Sequence, residues 1–327
     1  MTVMGNELLT PPHTITFRTY REGDEHGIIR LRKEVTGKDM SLKEWYWKFK
    51  GQGNEKVFSI VMEETTHGII GHWGGIPLKM LHDGREMTGV AGCNVMIHPK
   101  FRSFVRFKKL HNLFVQEFAK DSVTFIYGFP TEKTFMLPAE KLGLWERIED
   151  INESVKDVRF HSRPVRFLFK FLPIDFNDGR IDTLWNDVKY QFDLSIIKDA
   201  AYLNWRYEKN PRFKYEIWGL WKRWYGNLIA FVVIKREESE NFIIMDMVFR
   251  KGMLPVLLSK VEDLAYSMSK SSLRLFMPQR FTSFLKERGF SSRLTGGVIA
   301  RANDPRLLKK DEIEEKFFYT MGDTDYI

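Results

Sequence analysis

The chain has 327 residues, enough for two cores of roughly 150 residues each and too many for one small domain. Its 43% hydrophobic content, with 27 Phe and 9 Trp, reads as globular, and the single cysteine, Cys93, excludes a disulfide framework and a cysteine-built zinc cluster. A net charge of +8 attracts anions without choosing among nucleic acid, lipid and a phosphorylated cofactor.

The first residues, MTVMGNELLTPPHT, lack a basic segment followed by an apolar core, and the longest apolar strings, such as LIAFVVI at residues 228–234, have strand length. The expectation is a cytoplasmic protein with no membrane span. Residues 16–34 read as a short strand, a turn at 22–24 and a helix with Ile28, Ile29 and Leu31 on its apolar side. SLKEWYWKF follows as a second helix, with Ser41 as N-cap and Glu44 three residues on. KVFSIVMEE, GIIGHWGGIPLKML and REMTGVAGCNVMIHP then read as strands, with HDG at residues 82–84 as a hairpin turn. After Pro99 the spacing of Phe107, Leu110, Leu113, Phe114 and Phe118 predicts a helix, VTFIYGF at 123–129 a buried strand, and EKTFMLPAEKLG a helix ending at Gly143.

The second half echoes the first. Trp47-Lys48-Phe49 returns as Trp205-Arg206-Tyr207 (205 − 47 = 158), Ile70-Gly71 as Ile229-Ala230 (229 − 70 = 159), and Gly143 of EKLGL as Gly289 of KERGF (289 − 143 = 146). Three ordered echoes at nearly constant offset predict a duplicated domain. The expected division is residues 1–155, a connecting segment 156–180 and residues 181–327. Within the connection, RFHSRPVRFLFKFLP mixes Arg with Phe, and its aromatics are expected to pack while its cations stay solvated, so no nucleic-acid partner is expected.

HPKFRSFVRFKKL, at residues 98–110, stands where a strand passes into a helix, whose first N–H groups and positive dipole end suit a diphosphate. NVMIHPKFRSFVRFKKLHNLF (94–114) resembles the strand, loop and helix of the GNAT acyltransferases, and YGFPTEKTFMLPAEKLGLWERI (127–148) resembles their later strand and helix. More narrowly, DAAYLNWRY (199–207), YGFP (127–130) and FYTMGDTDYI (318–327) are similar to phrases in bacterial and archaeal two-domain GNAT proteins, often predicted acetyltransferases. The resemblance spans nearly the whole chain. It implies an α/β (α+β) fold of two tandem GNAT-like domains, each a mixed, mostly antiparallel sheet flanked by helices.

The resemblance also implies acetyl-CoA or another acyl-CoA as co-substrate, held by Met96, Ile97, Arg102, Ser103, Phe104, Val105, Arg106 and Phe107. Arg102 matches the first position of the family loop, while Ser103 and Val105 stand where glycines are usual; a branched Cβ at Val105 adds bulk, and strain if the turn needs positive φ. The family's tyrosine acid, four residues before the closing glycine, is Ala139 here, which leaves Tyr127 and Glu132 as the catalytic candidates. Cys93 has no base to activate it, and His67, His72 and His82 lack metal-site spacing, so no metal is expected. The second domain, with MVFRKGMLPVLLSKV (247–261) in place of the loop, is expected to have lost cofactor binding and to supply a cleft wall, a lid or the surface of a homodimer.

The implied function is transfer of an acyl group from CoA to the amine of a small molecule or amino sugar. Two other readings stay open: a binding or assembly module that kept the fold without the chemistry, and a Fem-type aminoacyl transferase, which would take aminoacyl-tRNA along a basic groove.

Overall fold

The computed structural model describes residues 14–51, 56–130, 141–159, 168–224, 226–303 and 308–324. The first half runs β1 (Ile15–Thr19), α1 (Asp24–Thr36), α2 (Leu42–Lys50), β2 (Phe58–Glu64), β3 (Gly68–His82), β4 (Arg85–Ile97), α3 (Phe104–Ala119), β5 (Val123–Gly128) and β6 (Glu146–Asp157). The second runs β7 (Phe169–Ile174), α4 (Arg180–Val188), β8 (Leu194–Ile196), α5 (Ala200–Leu203), a π turn (Asn204–Glu208), β9 (Lys214–Lys222), β10 (Leu228–Arg236), β11 (Asn241–Phe249), α6 (Leu254–Ser267), β12 (Ser272–Phe276), β13 (Ser291–Ala302) and β14 (Phe317–Phe318).

Local chemistry sets these boundaries. The Ser41 hydroxyl accepts from the Glu44 N–H at 3.1 Å and starts α2, as predicted. Asp83 and Gly84, at φ 46° and 77°, turn β3 into β4 through the two-residue hairpin that the right-handed twist of paired strands favours. Helix α3 buries Leu110, His111, Phe114 and Phe118 on one stripe against β2, β3 and β5. No described helix is long and apolar enough to cross a membrane.

The strands form one mixed, mostly antiparallel sheet in the order β1-β2-β3-β4-β5-β13-β6-β12-β11-β10-β9-β7, with β8 joined to β3 and β14 to β8. The order reads alike from both ends. Three antiparallel neighbours follow each edge strand, and the fourth strand passes through a helix, α3 or α6, to a parallel partner: β4 to β5 and β11 to β12. At the centre the halves exchange strands. β13 lies between β5 and β6, and among the described residues β6 pairs with β13 and β12, both from the second half. β7, inside the segment expected to connect two domains, is the outer strand beside β9.

The echoed tryptophans meet. Trp47 Nε1 donates to the Trp205 carbonyl at 2.7 Å and Trp205 Nε1 donates to the Trp47 carbonyl at 2.9 Å, with the rings stacked 5.7 Å apart. The indole N–H groups of half-buried Trp47 and buried Trp205 are thereby satisfied reciprocally, across the same offset of 158 residues. One hydrophobic cluster spans both halves, including Trp45, Phe49, Trp205, Tyr207, Phe231 and Val248, and a second lies beneath α3 around Trp73, Phe114 and Phe118.

Candidate functional site

The parallel strands β4 and β5 part company. Their pairing runs from Thr88 and Val123 to Ala91 and Tyr127 and stops, while β4 continues to Ile97 on the β3 side alone. The next turn of chemistry is in β4 itself. Two residues, Asn94 and Val95, stand opposite Trp73, because the register jumps from His72↔Met96 to Gly74↔Cys93. Asn94 takes φ 48°, a conformation that asparagine tolerates better than most residues. His72 holds this bulge: its Nδ1 lies 2.7 Å from the Asn94 carbonyl, which can only accept, so the ring carries its proton there. Its Nε2 is buried with no partner, and burial pushes the ring's pKa down to about 4.

A cavity of about 580 Å³ opens where the strands separate. Ala91 to Met96 and Gly128 to Pro130 form one side; Arg32, Thr36 and Lys38, from the end of α1 and the residues after it, form another. The second half contributes Tyr202, Trp205 and Arg206, together with Gly322, Asp323 and Thr324 near the chain's end. Asn94 Nδ2 belongs to this lining residue and is a buried donor with no partner.

The residues singled out for a cofactor gather beside this cavity. Met96 and Ile97 are buried at the end of β4, and the Arg102 Nε donates to the Ile97 carbonyl at 3.0 Å, which places Arg102 in the cavity wall. Ser103 is the N-cap of α3, its hydroxyl accepting from the Arg106 N–H at 3.2 Å. Arg106 Nη1 donates to the Phe101 carbonyl at 2.9 Å. Phe104 and Val105 form the exposed first turn, Val105 being 77% exposed, and Phe107 packs on Trp73. Val105 is helical, and the non-glycine residues at positive φ are Asp83, Asn94, Ser122 and Ser269, so the valine carries no backbone strain. The loop uses a serine cap where glycine was the expectation.

Of the catalytic candidates, Glu132 lies outside the described residues. Tyr127 is fully buried among Phe125, Phe129 and Phe317, its hydroxyl without a hydrogen-bond partner. Burial pushes that hydroxyl well above its ordinary pKa, with Asp323 adding to the rise, and it stays protonated at neutral pH. Cys93 is buried in the cavity wall.

Sequence reasoning missed the polar centre behind this wall. Lys198 Nζ, fully buried, donates to Asp246 Oδ1 at 2.5 Å, to both oxygens of Asp323 at 2.9 and 3.0 Å, and to the Thr320 hydroxyl at 3.1 Å. Tyr207 donates to the other oxygen of Asp246 at 2.9 Å, and Arg206 ties down the Gly322 and Thr324 carbonyls. Burial pulls the Lys198 pKa down, but Asp246 and Asp323 reverse this and hold it above its usual value. Burial raises the Asp246 carboxyl, an effect that Lys198 opposes. The partners stand 48 and 125 residues from Lys198, so no spacing rule joins them; the only signal was a lysine ending the apolar run LSIIK.

His82, Asp83 and Glu312 bring their ligand atoms within 4.8 Å of one another at the β3–β4 hairpin. Lys316 bonds both carboxylates at 2.9 Å and, with His82, lowers the Glu312 pKa to about 2, so this cluster already has its counter-charge.

No protein-family model matches the chain, and no curated protein matches it in sequence. Its fold has clear relatives among solved structures. A protein of unknown function from Enterococcus faecalis V583, described as a probable N-acyltransferase, superposes with a TM-score of 0.68 at 12% identity, over 93% of this chain and 75% of that one. A GCN5-related N-acetyltransferase from Anabaena variabilis gives 0.67 at 12% identity over 89% and 73%, and one from Kribbella flavida 0.67 at 10% over 89% and 71%. The chain therefore has the fold of the GCN5-related N-acetyltransferases, a mixed and mostly antiparallel sheet flanked by helices.

Proposed function

We propose that the protein is an N-acyltransferase, moving an acetyl or other acyl group from CoA to the amine of a small molecule. The observation that carries this reading is the parting of β4 from β5 at Ala91 and Tyr127, with a cavity at the opening and the start of α3 beside it. An extended thioester arm needs an unpaired strand edge to lie along, and among the described residues no strand pairs with residues 92–97 of β4 on the β5 side. A diphosphate needs N–H groups and positive charge, and the first turn of α3, flanked by Arg102 and Arg106, fits both.

In this reading Met96 and Ile97 bind the arm, Arg102 to Phe107 bind the phosphates, and the amine attacks the thioester carbonyl: a C–N bond forms, the C–S bond breaks, and the sulfur leaves with the electron pair. Asp323, the one carboxylate in the described lining, has both oxygens engaged by Lys198. Glu132 is the proposed acceptor of the amine's proton. Tyr127, fully buried and not among the residues that line the cavity, is read as packing beneath the site and is given no step. The matching order of elements is read as a duplication, with residues 1–155 and 181–327 as its two copies and the second copy closing the cleft.

Differential scanning fluorimetry with acetyl-CoA tests the reading. At ~100 times its dissociation constant a ligand adds about 2.7 kcal/mol of stability, a shift of a few degrees. No shift at millimolar acetyl-CoA rejects it. Val105→Gly should leave the shift within error, because the valine is helical and points to solvent, while Arg102→Ala with Arg106→Ala should reduce it. Tight, salt-sensitive binding of aminoacyl-tRNA without any acetyl-CoA effect would favour the Fem-type reading instead.

A further inference from the structure

The cavity is electrically one-sided. Among the described residues its lining holds four cations, Arg32, Lys38, Arg102 and Arg206, and one acid, Asp323. The acid is neutralised from behind: Lys198 contacts both its oxygens, and the Thr320 N–H donates to Oδ2 at 2.8 Å. Asn94 lines the same cavity; its side-chain oxygen accepts from Lys48 at 3.4 Å, and its buried N–H group has no partner.

Part of this excess has a use already. Arg102, next to the start of α3, belongs with the phosphates of the proposed acyl donor. Arg32 and Lys38 stand on a different element, the C-terminal half of α1 and the residues after Gly37. Neither pairs with a carboxylate among the described residues; Arg32 donates to the Asp39 carbonyl at 2.8 Å, a contact that leaves its charge uncompensated. A polyamine or aminoglycoside would bring several like charges to this wall and be repelled. An amine that also carries an anion would be drawn in and oriented, its nitrogen turned away from the cations.

We propose that the acceptor is a small amine bearing its own anionic group, a carboxylate or a phosphate, and that Arg32 and Lys38 recognise that group, with the Asn94 N–H as a further donor. This rests on the acyl-transfer reading and narrows its acceptor.

The test is release of free CoA from acetyl-CoA with matched acceptors. Amino acids are set against their decarboxylated amines, and aminoalkyl phosphates against the corresponding amino alcohols, with spermidine and an aminoglycoside as the opposite arm. The expected result is at least tenfold higher kcat/KM for the anionic member of one pair series, and which series wins identifies the anion. Lys38→Glu, on an exposed position, and Arg32→Gln should raise KM for that acceptor tenfold or more while leaving KM for acetyl-CoA unchanged. Preference for the decarboxylated amines, the amino alcohols or the polycations overturns the proposal and leaves acyl transfer standing. If no acceptor in the panel turns over, calorimetry of the same compounds on the acetyl-CoA-loaded protein decides. Binding confined to the anionic members, and weakened by Lys38→Glu, supports the proposal; binding of none overturns it. Failure of acyl transfer itself is read separately, as the absence of an acetyl-CoA thermal shift.

Discussion

The parallel pairs β4–β5 and β11–β12 make the same opening and use it differently. Asn94 stands three residues beyond the last β4–β5 pair (94 − 91 = 3), and Asp246 three beyond the last β11–β12 pair (246 − 243 = 3). Both strands carry a register shift against their antiparallel neighbour at this point. Around Asn94 there is a cavity and an unpartnered N–H group; around Asp246 there are Lys198, Tyr207 and Thr320, brought by the chain itself. One backbone device thus leaves room for a ligand in the first half and is filled by the protein's own side chains in the second. An opening filled by an ion-paired centre is rigid and leaves no room for a ligand.

The largest test of this contrast is Lys198→Met. It leaves Asp246 and Asp323 buried without their cation and should cost about 3–5 kcal/mol, read as a lower denaturant midpoint. Acid should act on the first opening. His72, held near pKa 4 when folded and close to 6.5 when unfolded, binds its proton more readily unfolded, so stability falls as pH drops from 6.5 to 4. His111, likewise lowered to about 4 by burial, adds to the slope, and each contributes at most about 3 kcal/mol. His72→Gln, which keeps a donor for the Asn94 carbonyl but does not titrate, should flatten the pH dependence of Tm; an unchanged slope would refute the assignment. Gly322→Ala should cost about 1–3 kcal/mol, since its Cβ would fall 1.9 Å from the Tyr207 hydroxyl, and both Tyr207 and the segment it touches hold the filled opening. Asn94→Gly should change stability least, by about 1 kcal/mol, because the loss of the long 3.4 Å bond from Lys48 is offset by removing an unpaired donor and by glycine's ease at positive φ. A loss comparable to that of Lys198→Met would erase the distinction between the two openings.

Much of this was legible in the residues. Ser41 as a cap, Asp83-Gly84 as a turn, and the apolar stripe at Leu110, Phe114 and Phe118 follow from rules a few residues long. Trp47 and Trp205 stood out in the sequence as an echo, and the fold brings them into reciprocal hydrogen bonds. The Lys198 centre was hidden because its partners are distant in sequence and each is unremarkable alone. For Val105 the condition for strain is not met: the glycine rule concerns loops that need positive φ, and a serine-capped helix start does not. The cavity's charge escaped because Arg32 and Lys38 look like ordinary solvated residues at the end of a helix, and only the folding of α1 onto β3 and β4 brings them to the opening.

The exchange of β6 and β13 has a consequence for synthesis. Gly128 of β5 pairs with Ile299 of β13, so 299 − 128 = 171 residues must be made before that edge is covered. Until then the emerging chain presents Phe125, Ile126 and Tyr127 on an open strand, the feature that invites pairing with other chains. Stopping the chain before residue 291 would make that transient edge permanent, and ribosome-bound or truncated forms should therefore depend on chaperones in a way the finished protein does not.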